Sequence, residues 1–170
     1  MIGWKWGSFV LLLDALKGYL PTFAVLSYCE QQPDFTWHAP VAAGAATIIG
    51  HMYPVYLKLR GGKGVATGLG VILALMPQAT LWAFPAFVLT TATTRLVAVA
   101  SMTAAVVFGV AAVILLGDQA LTNSHWPLTA FSVAVPLLII WRHRSNIARL
   151  ITGQEPKVTD RPDDPATDKK

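Results

Sequence analysis

Cysteine is all but missing: Cys29 stands alone among 170 residues, so no internal disulfide can form and no metal centre can be built on thiolates. Charge is nearly as scarce. Asp, Glu, Lys and Arg make up 13% of the chain, about half the share found in a soluble domain. Residues 35–57, 64–94, 96–117 and 119–141 contain none of the four, over 23, 31, 22 and 23 positions. A bilayer-crossing helix takes roughly 20 apolar residues. The spacing therefore describes a polytopic membrane protein and excludes a soluble enzyme, a nucleic-acid module and a disordered chain. Also lacking are a Gly-x-Ser-x-Gly elbow, a His-x4-Asp pair and any evident internal repeat. Covalent serine catalysis is disfavoured by the first two absences, and the inverted-repeat plan of many secondary transporters by the third.

What remains, 54% apolar, divides into spans. The stretch 6–28 carries Asp14 and Lys17 in its middle and has no small-residue cleavage site after it, so it reads as a retained helix rather than a leader. A second span covers 40–57. The run 64–94 would make a helix of ~46 Å and is broken by Met76-Pro77-Gln78, which predicts two short helices in hairpin, 64–76 and 78–94; a single kinked span is the other reading. Further spans follow at 96–116 and 126–141. The expected fold is an all-α membrane bundle of about six helices over residues 1–153. The charged, Pro-rich remainder, 154–170, is expected to be a disordered tail.

With this threading Lys5, Lys58, Arg60, Lys63, Arg95, Arg142, Arg144 and Arg149 share one face, while the opposite loops hold Glu30, Asp34 and Asp118 without Lys or Arg. That asymmetry puts the basic face, and both termini, in the cytoplasm. The net charge of +4 thus reports orientation before it reports a partner.

Two basic clusters could carry chemistry. After the second span comes Gly50-His51-Met52-Tyr53-Pro54-Val55-Tyr56, leading into Gly61-Gly62-Lys63-Gly64-Val65-Ala66-Thr67. Glycines let a backbone approach an anion and expose successive N–H groups. The helix that follows adds its N-terminal amides. Gly61, Gly62, Lys63 and Gly64 are candidate phosphate ligands, with His51 in the same half. This is not a Walker loop, because Leu57 stands where the first glycine is needed. A flexible basic loop that sets topology accounts for the same residues. The last span ends in Arg142-His143-Arg144-Ser145-Asn146-Ile147-Ala148-Arg149-Leu150. On a helix His143 and Asn146 share a face, offering a proton carrier and a donor–acceptor pair. Arg144 can grip phosphate. A cationic anchor for lipid headgroups is the competing reading.

Elsewhere, Ser101 lies just inside the fifth span, where a hydroxyl most often bonds its own backbone. Asp14 and Lys17 stand at i, i+3, suited to a structural ion pair or a pocket wall, since charges inside a bilayer need partners. His38 and His125 have no carboxylate or cysteine at ligand spacing, so no metal is expected.

Taken in order, these segments resemble the bacterial acyl-phosphate:glycerol-3-phosphate acyltransferase family, the PlsY type. The resemblance rests on the two clusters above, on Gly153 and Glu155 after the second, and on Leu13-Asp14-Ala15-Leu16-Lys17-Gly18. It implies acyl transfer from acyl phosphate to the 1-hydroxyl of glycerol 3-phosphate, giving 1-acylglycerol 3-phosphate (lysophosphatidic acid) and phosphate. This is the first step of phospholipid biosynthesis, set in the bacterial inner membrane, without a cofactor and without an obligatory protein partner. By the same resemblance Lys63, Ser101, His143 and Asn146 would be catalytic. The family also has an earlier helix and a Gly-Ser-Gly-Asn…Thr-Asn…Arg loop. The sequence is therefore expected to be a shortened form, inactive as written if that loop is indispensable. A small membrane transporter or channel for an organic phosphate is the alternative; a non-catalytic subunit packing through Ala42-Ala43-Gly44-Ala45-Ala46 is a weaker one.

Overall fold

The computed structural model describes residues 4–159. Its described residues form seven α-helices and two single 3₁₀ turns, with no strand. The helices are α1 (Trp4–Cys29), α2 (His38–Met52), α3 (Val65–Leu75), α4 (Pro77–Thr94), α5 (Val97–Leu116), α6 (Trp126–Arg142) and the short α7 (Arg144–Ile151). The all-helical architecture matches the sequence reading. By length and composition, Trp6–Cys29 and Val97–Gln119 can each cross a membrane unaided, while α3 and α6 are shorter apolar helices. At 11 residues α3 is ~16 Å long, about half a hydrocarbon core.

The break in the 64–94 run falls where the sequence places it. Met76 leaves helical geometry (φ −143°, ψ 68°) and Pro77 opens α4, where its missing N–H costs no helical bond. The chain then turns back. Val158 N–H donates to Arg95 O at 2.9 Å, which brings the end of α4 to the end of the bundle that also carries α7. A single kinked span would have left Arg95 at the opposite end from Lys63, so the hairpin reading holds.

The second span is shorter than expected. It stops at Met52 instead of continuing to residue 57, because Pro54 forces the preceding residue out of the α region; Tyr53 sits at φ −131°, ψ 56°. The composition change after residue 153 also misleads. Residues 154–159 are tied back to the bundle through Glu155 and Val158 rather than loose; residues 160–170 of the expected tail lie outside the described residues.

The core is formed by Ile48 and Met52 of α2, Val71 and Leu75 of α3, Phe108 of α5 and Phe131 of α6. Helices α1 and α3 approach closely enough that a Cβ at Gly70 would strike the Ala15 carbonyl oxygen and one at Gly18 the Thr67 carbonyl oxygen. Thr22 and Ser132 return their buried hydroxyls to their own helices, at Gly18 O and Leu128 O, whereas the buried Thr67 Oγ1 has no hydrogen-bond partner among the described residues. At the end remote from Lys63, Trp37 N–H donates to Ser124 O at 3.3 Å, joining the α1–α2 and α5–α6 connections.

Candidate functional site

The segment between α2 and α3 is a built turn. Leu57 and Leu59 N–H both donate to Pro54 O, and Gly61 N–H returns to Met52 O at 3.1 Å. Lys58 and Leu59 accept left-handed geometry to achieve this (φ 51° and 62°). The return presses Gly62 against the His51 ring, where a Cβ would meet Nε2. The other ring nitrogen, His51 Nδ1, lies 3.8 Å from Asp14 Oδ1, and that carboxylate pairs with Lys17 Nζ at 2.6 Å. In this way α1, α2 and the glycine turn meet at one place.

Gly64, at φ +78°, is the N-cap of α3, and a side chain there would carry left-handed strain. The helical ladder resumes only at Gly68, whose N–H donates to Gly64 O at 2.7 Å. Among the described residues, no carbonyl or side chain takes the N–H groups of residues 62–67. A left-handed residue followed by a helix N-terminus, with its amides unspent, is an arrangement suited to an oxyanion or phosphate. Lys63 is exposed in the middle of it.

The other wall comes from the end of α6. His143 (φ −92°, ψ 8°) separates α6 from α7 and is 2% exposed. Its Nδ1 lies 2.8 Å from Ile139 O. A carbonyl can only accept, so Nδ1 carries the proton and Nε2 holds the lone pair of the neutral ring. Burial lowers the His143 pKa below 6.5. The bond to Ile139 and the Glu155 charge oppose this, while Lys63 adds to it. The lysine responds in kind: partial burial of its ammonium lowers its pKa, Glu155 raises it and Arg149 lowers it. Lys63, His143, Glu155 and Arg149 thus share one electrostatic neighbourhood.

Asn146, 3% exposed, donates from Nδ2 to Glu155 Oε1 at 2.6 Å, and Arg149 Nε donates to Glu155 Oε2 at 2.8 Å. The Asn146 Oδ1 is buried without a hydrogen-bond partner. A buried acceptor left open beside a neutral imidazole suits a donor such as a substrate hydroxyl.

The sequence candidates do not all converge. Lys63, His143 and Asn146 lie together, with Gly61, Gly62, Gly64 and His51 around the turn. Ser101 is buried and donates its hydroxyl proton to Val97 O at 2.8 Å, which leaves its oxygen lone pairs open as acceptors. Arg144 stacks on Trp141, 4.6 Å from the ring centroid, and donates to Trp141 O. The arginine that reaches the turn is Arg142, whose Nη2 donates to Gly61 O at 3.2 Å and Gly62 O at 2.7 Å. Arg142 and Glu155 contact the candidate site residues and are not singled out among the candidates by the sequence. Glu155 lies nine residues beyond Asn146, so no helical spacing links the two, and Arg142 and Arg144 flank the break between α6 and α7, where spacing along the chain does not say which of them meets the turn.

A sequence profile of the family described as glycerol-3-phosphate acyltransferase matches residues 1–153. The glycerol-3-phosphate acyltransferase of Myxococcus xanthus is 45% identical over 153 residues, which is 90% of this chain and 74% of that protein. That of Listeria monocytogenes strain EGD-e is 37% identical over 158 residues, 93% of this chain and 74% of that protein. Among solved structures, the integral membrane glycerol 3-phosphate acyltransferase PlsY in its glycerol 3-phosphate form superimposes with a TM-score of 0.79 at 35% identity, over 92% of this chain and 72% of that one. Its lysophosphatidic acid form gives 0.76 at 35% identity, over 90% and 72%.

Proposed function

This chain belongs to the glycerol-3-phosphate acyltransferase family, and we propose from that premise how its residues divide the reaction. It is an integral membrane acyltransferase that transfers an acyl group to glycerol 3-phosphate for phospholipid synthesis. The donor in our reading is an acyl phosphate, the acceptor oxygen is the 1-hydroxyl, and the products are 1-acylglycerol 3-phosphate and inorganic phosphate. The basic end of the bundle faces the cytoplasm of the bacterial plasma membrane, which the distribution of Lys and Arg supports. Six crossings, with α3 and α4 as the hairpin, fit that orientation.

An acyl phosphate is already activated, so positioning and charge stabilisation can carry much of the rate. The amides of residues 62–67 and Lys63 would take the charge that grows on the departing phosphate. The neutral His143 Nε2 would accept the proton of the attacking hydroxyl, and Asn146 Oδ1 would orient that hydroxyl. Oxygen attacks the carbonyl carbon, the carbon–oxygen bond to phosphate breaks, and the proton ends on His143. Ser101, whose proton goes to Val97 O, would act through its oxygen as an acceptor for the glycerol 3-phosphate hydroxyls. Asp14, Lys17 and His51 form the wall behind the turn. The observation that carries the reading is the meeting of the glycine turn with the α6–α7 junction, some 80 positions along the chain, where Arg142 Nη2 reaches Gly61 O and Gly62 O next to His143.

The direct test measures phosphate release from acyl phosphate in reconstituted vesicles, with and without glycerol 3-phosphate. Release that depends on the acceptor and matches lysophosphatidic acid formed supports the reading. Passage of glycerol 3-phosphate across the vesicle without acylated product would favour a transporter.

The pH profile supplies a second test. Because burial lowers the His143 pKa below 6.5, the ring is an unprotonated base at neutral pH. kcat/KM should hold as pH falls to 6.5 and decline only as pH passes through the depressed value. An acid limb centred above 6.5 contradicts His143 as the base.

Gly62→Ala should lower acyl transfer by about tenfold or more, about 1.4 kcal/mol in barrier. The added methyl meets His51 Nε2 and must displace either the ring or the turn. Gly50→Ala, where a Cβ meets nothing within 4 Å, should leave the rate within about twofold.

A further inference from the structure

The feature of this site that its candidate ligands leave unexplained is the role of Arg142. Its Nη2 donates to two consecutive carbonyls, Gly61 O and Gly62 O. Its guanidinium carbon lies 5.2 Å from the centroid of the Tyr53 ring, within cation–π range. The chain contains no cis peptide bond among its described residues. In a trans peptide, C=O and the next N–H point in opposite directions within one plane. Holding the Gly61 and Gly62 carbonyls toward Arg142 therefore turns the N–H groups of Gly62 and Lys63 the other way. These are the first two of the unspent amides described above.

Two further contacts keep the turn from rotating back. Gly61 N–H is anchored on Met52 O, and the His51 ring closes the space beside Gly62. Glycine peptides flip readily because no Cβ resists, so a Gly61-Gly62 turn needs an outside agent to hold one orientation. Arg142 is placed to be that agent: Nη2 alone serves both carbonyls, and the guanidinium plane that fixes the directions of its two N–H groups also lies over Tyr53, a constraint that a freely rotating lysine ammonium lacks.

We propose that Arg142 is a positioning residue: by gripping the Gly61 and Gly62 carbonyls while stacked on Tyr53, it presets the Gly62 and Lys63 amides as an anion cradle for a phosphate monoester or phosphate leaving group. This rests on the reading of the turn as the phosphate site. The substrate gains its hydrogen bonds from the backbone and Lys63, and the arginine acts through the backbone. A guanidinium that contacted phosphate directly could be replaced in part by a lysine ammonium; one that orients two carbonyls from a fixed plane is replaced only by another guanidinium.

The test uses the full chain, labelled with 15N-glycine and 15N-lysine in detergent micelles and titrated with inorganic phosphate. In the parent, the amide signals of Gly62 and Lys63 should move saturably, while Gly44 and Gly109, within α2 and α5, stay fixed and report an intact fold. Arg142→Lys, which keeps the charge, should weaken the apparent affinity by about tenfold or more, about 1.4 kcal/mol. Arg142→Ala should do the same and recover on addition of millimolar guanidinium. If the alanine variant fails to fold, the lysine variant carries the test. Parent-like phosphate affinity in Arg142→Lys overturns the proposal, and so does a parent whose Gly62 and Lys63 amides ignore phosphate. Failure of the acyl-transfer reading looks different: Arg142-dependent phosphate binding without acyl transfer sinks that reading and supports this one.

Discussion

Lys63→Met is expected to lower kcat/KM for acyl transfer by about a hundredfold, about 2.7 kcal/mol of transition-state stabilisation. Methionine keeps most of the apolar stem and removes the ammonium, so the loss reports charge rather than packing. The magnitude follows from what the residue faces. Negative charge grows on the phosphate as the acyl bond breaks, and Lys63 is the cation set among the free amides that open α3. Because the side chain is exposed, its removal should barely move the thermal midpoint. Steady-state kinetics with both substrates, alongside a detergent-micelle melting curve, checks both statements. A variant within threefold of the parent removes Lys63 from the mechanism.

Glu155 carries the second large effect. Its side chain is 6% exposed and accepts from Asn146 Nδ2 and Arg149 Nε at once. Glu155→Ala removes the one partner of the Asn146 amide, because Oδ1 is already open. Acyl transfer should fall by about tenfold or more, and the thermal midpoint should fall with it. Glu155→Gln separates geometry from charge. A glutamine can still accept one of the two bonds, so folding should largely survive. The charge that raises the Lys63 pKa is nonetheless gone. Burial and Arg149 then act unopposed, the Lys63 pKa drops further, and the alkaline limb of kcat/KM moves to lower pH. An unmoved limb shows that Lys63 does not feel Glu155.

Much of this protein is legible without coordinates. The four uncharged runs disclose the helices, because a bilayer tolerates few unpaired charges and each run must be long enough to matter. Met76-Pro77 marks the break between α3 and α4, since proline lacks the N–H that a continuing helix would use. Lys63 and His143 stand out because basic and ionisable groups are rare here and fall at helix ends. Where reading along the chain fails, the cause is equally physical. Composition beyond residue 153 resembles a tail, yet Glu155 is held by two side chains that only folding brings within reach. Arg142 and Arg144 are equivalent in one dimension. They differ in that one lies over the glycine turn and the other over Trp141.

The division between the two kinds of information is therefore clear. Sequence alone determined that the chain is a helical membrane protein, where its helices lie, and which family its motifs resemble; each of these depends on residue type and on spacing along the backbone. The tertiary structure decided which of the basic and polar groups lie together. It brought Lys63 into the electrostatic neighbourhood of His143 and Glu155, placed Arg142 on the glycine turn and laid Arg144 on Trp141. Those choices depend on the rotation of each helix about its own axis. In a helix with apolar residues on every side that angle leaves no trace in hydropathy, and it is settled only when neighbouring helices pack, as α1 does on α3 through Gly18 and Gly70.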